Sequence, residues 1–208
     1  MKLSRLTAVT VFYLTISACS VSGEGAQPGL GSPTSQSLPS ASTSTSTSVE
    51  VSLPFHNPFP NRWNSSNDGT TFEPCVAFSE KELLRFGVDP AVIEDAALVD
   101  GQGVRGCEWF MPRSFSLNVV VTNSTSLDDY KSGRGELLWK PDLVVDDRVV
   151  GIAQLNSDDH VCMTYIQSSA AIVATSVVIT GGVEALRNYD PCQLVIDFTK
   201  SYLDRIPV

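Results

Sequence analysis

Ser114-Phe115-Ser116-Leu117-Asn118-Val119-Val120-Val121-Thr122 alternates strictly, with Phe115, Leu117, Val119 and Val121 on one side. A period of two is the mark of a strand with one face turned to a core. Downstream, Ala170–Thr180 is an unbroken run of small apolar and β-branched residues, as expected of a central strand covered on both sides. Val149–Leu155 is a third strand, and Cys107–Met111 and Val161–Gln167 add two more. Helical signals stand towards the two ends of this body. Ser79-x-x-Glu82 is a capping box ahead of Leu83, Leu84 and Phe86, with Gly87 to close the helix. Asp190-Pro191-Cys192 opens the stripe Leu194, Val195, Phe198, Tyr202, Ile206, with proline at a helix start and apolar residues at helical spacing. Ser126–Ser132 reads as a short helix capped by Ser126, and Val183–Asn188 as a helical turn after Gly181-Gly182. Strands in sequence with short connections predict an α+β fold: an antiparallel sheet, N- and C-terminal helices packed on one face, and two disulfides.

The disulfides follow from Cys75, Cys107, Cys162 and Cys192. Four cysteines in an exported domain allow three pairings. Cys75 and Cys192 both follow an acid-Pro pair near a helix start, whereas Cys107 and Cys162 lie in strands. The expected pairs are therefore Cys75–Cys192 and Cys107–Cys162. Zinc sites usually come from C-x2-C knuckles, and these cysteines are far apart, so no metal is expected. Cys192 at a helix start is read as a structural half-cystine rather than a reactive thiol.

Export is read from the first residues. Lys2 and Arg5 precede a moderately apolar run, Leu6–Ala18, that ends in Ile16-Ser17-Ala18-Cys19. The run is short of the roughly 20 apolar residues of a bilayer span. Residues 1–18 are thus read as a signal peptide cut before Cys19, a lipobox whose thiol carries acyl chains such as palmitate. Residues 19–56 form a Ser/Thr/Pro-rich tether, with strict Ser/Thr alternation over Ser42–Ser48, too poor in apolar groups to fold. As a flexible coil it would hold the domain on the order of 35 Å from the membrane, at about 5–6 Å × √n. Residues 57–208 are one domain. It opens on an extended lead-in of Pro58, Phe59, Pro60 and Trp63, and its folded body is expected from about Thr70. The location is the extracytoplasmic face of the cell membrane.

Net charge is −9 and the basic residues are scattered singly, which excludes nucleic-acid binding. Gly101-x-Gly103-x-x-Gly106 has the letters of a dinucleotide fingerprint but lies in a loop ahead of a strand, outside any βαβ unit, so no cofactor is expected. Asp158, Asp159 and His160 are read as a polar turn, and no Gly-x-Ser-x-Gly elbow accompanies them. Asp128-Asp129 and Asp146-Asp147 point to opposite faces in extended chain or cap a helix. Asp142, Asp146, Asn156 and Asp158 lack the spacing of a calcium loop. Trp109, beside the strand cysteine, belongs in the core. Trp139, in Leu137-Leu138-Trp139-Lys140-Pro141, is expected in a loop between a helix and a strand. Trp139 is expected to be buried in the core; the alternative is that Leu138 and Trp139 are exposed as a lip over a pocket or a partner contact.

These signals together resemble a family. A lipobox and Ser/Thr tether lead to Pro74-Cys75, Leu83 and Gly87. Cys107-x-Trp109, Cys162, Asp190-Pro191-Cys192 and Pro207 follow. The pattern is similar to the actinobacterial lipoproteins catalogued as domain of unknown function 3558, over roughly residues 72–207, with Glu73 standing where an aspartate is expected. The resemblance implies an envelope location and a disulfide-stabilised α+β domain, and it brings no catalytic residues. The expected function is non-catalytic: an envelope module, anchored through Cys19, that binds a lipid, a glycan or a protein partner. The alternative is an envelope-modifying hydrolase built on residues such as Asp158 and His160.

Overall fold

The computed structural model describes residues 51–155 and 158–208. The expected signal peptide, Cys19, most of the expected tether and Asn156 lie outside the described residues. Of Asp158 only the backbone is described.

Helix α1 (Glu80–Arg85) starts at the expected capping box: Ser79 Oγ accepts from the Glu82 N–H, and Glu82 accepts from the Ser79 N–H. Gly87 ends it at a φ of 73°, a conformation that costs glycine nothing. Three strands follow, β1 (Ile93–Asp95), β2 (Arg105–Phe110) and β3 (Phe115–Asn123), paired antiparallel as a meander. Helix α2 (Leu127–Ser132), capped by Ser126, carries the chain to the far edge. There β4 (Leu137–Val145), β5 (Arg148–Leu155), β6 (Asp158–Ser168) and β7 (Ala171–Ile179) return inward until β7 pairs with β3. The sheet order is β1-β2-β3-β7-β6-β5-β4, all antiparallel. Helices α3 (Gly182–Asn188) and α4 (Pro191–Lys200) complete the chain, α4 capped by Asp190 as its Asp-Pro-Cys start predicts. The expected α+β class, with an antiparallel sheet, end helices and two disulfides, is the fold found.

The two faces of this sheet are unequal. On one, Leu117, Val119 and Val121 of β3 and Val173 and Val177 of β7 join Val195 and Phe198 of α4 and Leu83 of α1 in the main core. Hydroxyl pairs cross that interface, Thr164 with Thr199 at 2.6 Å and Thr175 with Tyr202. Trp109 is buried there, as expected. Among the described residues, α2 is the helix that packs on the other face, over Ala153, Tyr165 and Ile172. The run Ala170–Thr180 does supply the central strand, yet Ala174, Ser176 and Val178 are only half-buried. Its far side is covered in part, and the expectation of cover on both sides needs that correction. Small side chains give an apolar run without revealing whether anything packs on them.

The disulfide pairing is also corrected. Cys75 bonds Cys107 and Cys162 bonds Cys192, with Cα–Cα distances of 5.4 and 4.9 Å. The sheet order explains it. β2 and β6 are separated by β3 and β7, so Cys107 and Cys162 stand about 14 Å apart at about 4.8 Å per strand. A disulfide spans less than about 7 Å between Cα atoms. Each helix-start cysteine instead bonds the strand beneath it. The loops closed are 32 and 30 residues apart in sequence, which the chain-entropy account values at about 3–4 kcal/mol each.

Candidate functional site

Among the described residues, three places outside the main core differ in what they can do. The first is buried and internally satisfied. Arg62, from the lead-in, donates to both Glu73 oxygens at 2.9 and 3.0 Å and to Asp95 at 2.7 Å. Arg105 donates to Glu73 at 3.2 Å and to the carbonyls of Asn67, Phe72 and Thr70. Burial lowers the Arg105 pKa to about 10, which leaves it charged at neutral pH. The four formal charges cancel, and such a group is a structural joint. Glu73 also accepts from the Cys75 N–H at 3.3 Å, so it keeps the cap expected of an acid before Pro74. Glu73, Cys75 and Cys107 bring ligand-type atoms together, but the two sulfurs are bonded to each other and the carboxylate is taken by the arginines. Trp63 lies over the Arg105 guanidinium at 3.7 Å and is 43% exposed. The sequence places the fold's start near Thr70; the buried Arg62 and Asn67 extend the packed body upstream.

The second place is the aromatic cluster under α2. Leu127 drops onto Ala153, Tyr165 and Ile172, with Tyr130, Trp139 and Met163 around them. Tyr165 lies 5.1 Å from Trp139 and 5.2 Å from Tyr130 between ring centres. Burial raises the Tyr165 pKa above its ordinary value, and its hydroxyl points at Met163 Sδ, 3.1 Å away. Gly151 makes the close approach of α2 possible: a Cβ there would meet Lys131 Cε at 3.2 Å and Leu127 Cδ1 at 3.4 Å. Lys131 latches the helix to the edge strand through Asp142, 2.6 Å from each carboxylate oxygen. Leu138 and Trp139 are in β4, not in a loop. Their neighbouring positions on a strand put them on opposite faces. Trp139 joins the aromatic cluster, its Nε1 buried without a hydrogen-bond partner among the described residues. Leu138 points the other way and is 53% exposed. The two residues read as one lip are therefore not brought together. The β4 edge is interrupted by Pro141 and by a register shift between Lys140 and Leu143, devices that discourage strand addition.

The third place is the open part of this same face, and no sequence signal marked it. Strand register sets Phe110, Ser116 and Val178 in one row and Glu94, Glu108, Asn118, Ser176 and Met163 in the next. Val120 and Ala174 form a third row. Phe110 is 48% exposed, and Asn118, Val120, Ala174, Ser176, Val178 and Met163 are half-buried. A ladder runs along the polar side: Asn118 Nδ2 donates to Ser116 Oγ at 3.0 Å, and Ser116 Oγ donates to Glu108 at 2.8 Å. The surface is a shallow platform on which Phe110 and Val178 on one side and Val120 and Ala174 on the other flank a middle row that holds Asn118, Ser176 and Met163. Such a surface suits binding.

The remaining sequence-marked groups are dispersed. Gly106 lies inside β2, where a Cβ would strike the Val119 carbonyl, so the glycine fingerprint is a strand packing requirement. His160 is in β6, its Nδ1 3.1 Å from Asp159; this stretch is strand rather than a polar turn. Asp146 and Asp147 form the β4–β5 hairpin turn, with φ of 48° and 62°, rather than a cap or extended chain. The Thr125 hydroxyl donates to the Asp129 carboxylate and the Asp129 N–H donates to Ser126 Oγ at 3.0 Å; the Thr125 hydroxyl, then that of Ser126, lowers the Asp129 pKa.

Comparison with known proteins bears on the family. A profile described as "Protein of unknown function (DUF3558)" matches residues 14–205. No curated protein matches. The solution structure of cyanobacterial PsbP (CyanoP) from Synechocystis sp. PCC 6803 is similar over 56% of this chain and 79% of that one. Its sequence identity is 14% and its TM-score 0.30.

Proposed function

The chain belongs to the family of proteins of unknown function DUF3558, and from that premise we propose that it is a membrane-anchored envelope protein that works by binding. The mature chain begins at Cys19, which carries the lipid, and the domain stands on its tether at the extracytoplasmic face. It holds a partner on the open part of the sheet, beside α2. The observation that carries this reading is the unequal cover of the two faces: the same central strand that is sealed by α4 on one side is left half-buried on the other. Two disulfides in the domain support an oxidising compartment, and Leu6–Ala18 followed by Cys19 supports the anchor. The actinobacterial origin implied by the resemblance belongs to the same reading.

Metabolic labelling with an alkyne palmitate analogue tests the anchor in cells expressing the full chain. Wild type should carry label and sediment with membranes; Cys19→Ala should lose the label and leave the membrane fraction. An unlabelled wild-type chain, or label retained by Cys19→Ala, would overturn the anchoring half of the proposal.

A further inference from the structure

The open part of the sheet carries charge of one sign. Glu94 of β1 and Glu108 of β2 stand directly opposite each other in the antiparallel register, and like charges so placed repel. Glu108 is oriented by the Ser116 hydroxyl at 2.8 Å, and Glu94 beside it is exposed, so the two carboxylates stand at the β1–β2 side of the platform. Among the residues that register places on this face of β1, β2, β3, β7 and β6, none is lysine or arginine. Arg105, on β2, is turned into the opposite face, where it is fully buried.

The dimensions match one element. From β2 to β6 the open part is four strands wide, about 14 Å at about 4.8 Å per strand, and an α-helix with side chains is about 10–12 Å across. Beside this area α2, of six residues, covers only the neighbouring part of the face. A helix laid over Phe110, Val120, Val178 and Met163 would complete a three-layer packing like that made by α4 on the other side. Resting on the binding role given to this face above, we propose that its occupant is a basic amphipathic helix of a partner protein. The apolar side of that helix covers Val120, Ala174 and Val178, and its Lys or Arg residues meet Glu94 and Glu108.

The test uses two fluorescent peptides of about 14 residues, each with leucines at helical spacing and one photo-leucine among them. One carries lysines on its polar side, the other glutamates. Each is titrated by anisotropy into the full-length lipoprotein in detergent, then irradiated, and the crosslinked residues are mapped by mass spectrometry. The lysine peptide should crosslink within β2, β3 and β7, and Glu94→Gln with Glu108→Gln should weaken it by about three- to tenfold. Glu80→Gln with Glu184→Gln, which removes the same charge from α1 and α3, should change it less than about twofold. Equal loss in both double variants, or crosslinks away from this face, would overturn the proposal. A glutamate peptide that crosslinks on the face where the lysine peptide does not would refute the charge selection while leaving the binding face in place. Failure of both peptides there would count against both.

Discussion

Glu73→Gln is the perturbation for which the structure gives the firmest magnitude. The Glu73 carboxylate accepts from Arg62 twice and from Arg105 once, and its side chain is 4% exposed. Glutamine keeps the shape and removes the charge. Two buried guanidinium groups would then face Asp95 alone, leaving one positive charge uncompensated in the interior. Breaking a buried pair in this way costs about 3–5 kcal/mol, against a typical domain stability of about 5–15 kcal/mol. In a domain of this size that is a fall in Tm of roughly 6–20 °C, at about 2–4 °C per kcal/mol. Urea unfolding at neutral pH with both disulfides intact should show a lower midpoint at an unchanged slope. Adding Arg62→Met removes the surplus charge, so the double variant should lose less than the sum of its parts, by about 0.5–3 kcal/mol. A Glu73→Gln loss under about 1 kcal/mol, additive with Arg62→Met, would refute the view of this group as a charge-balanced joint.

Two other perturbations probe local features. Asp147→Gly places the residue favoured in a two-residue hairpin turn at a φ of 62°, and should stabilise the domain by about 0.5–1 kcal/mol in the same unfolding assay. The Ser79 N–H and hydroxyl, then Arg205, hold the Glu82 carboxyl down at about 2 from an ordinary 4.5. Its contribution is therefore complete above pH 4.5 and lost as pH falls towards 2. Glu82→Gln should cost about 0.5–1 kcal/mol at neutral pH, and thermal melts of the variant should lie closer to wild type at pH 2 than at pH 7.

How far the sequence could be read depended on the range of the interaction concerned. Local signals transferred well: Ser79 and Glu82 do cap α1, Ser126 caps α2, Asp190 caps α4, and the alternation over Leu117–Val121 is the burial pattern of that part of β3. Each is settled by residues within a turn or a strand. The disulfide pairing was not legible because it depends on strand order, which puts two strands between Cys107 and Cys162. Trp139 was visible as an aromatic of interest, but the β4 pairing with β5 that separates its face from that of Leu138 is a long-range fact. Arg62 gave no periodic signal at all, since a buried arginine is identified by its partners Glu73 and Asp95 and these are distant in sequence. The open platform was hidden for the complementary reason. Ala174, Ser176 and Val178 look the same in sequence whether or not a helix covers them.

Site-specific photocrosslinking in the native envelope tests the proposed binding face most directly. A benzoylphenylalanine is placed in the full chain at Val178, on the open face, and in a second chain at Lys200, the exposed last residue of α4. A discrete crosslinked species should form from position 178, survive washing of the membranes, and be absent from position 200. The same species from both positions, or none from position 178 in membranes where the protein is anchored, would contradict the open sheet face as the site of binding.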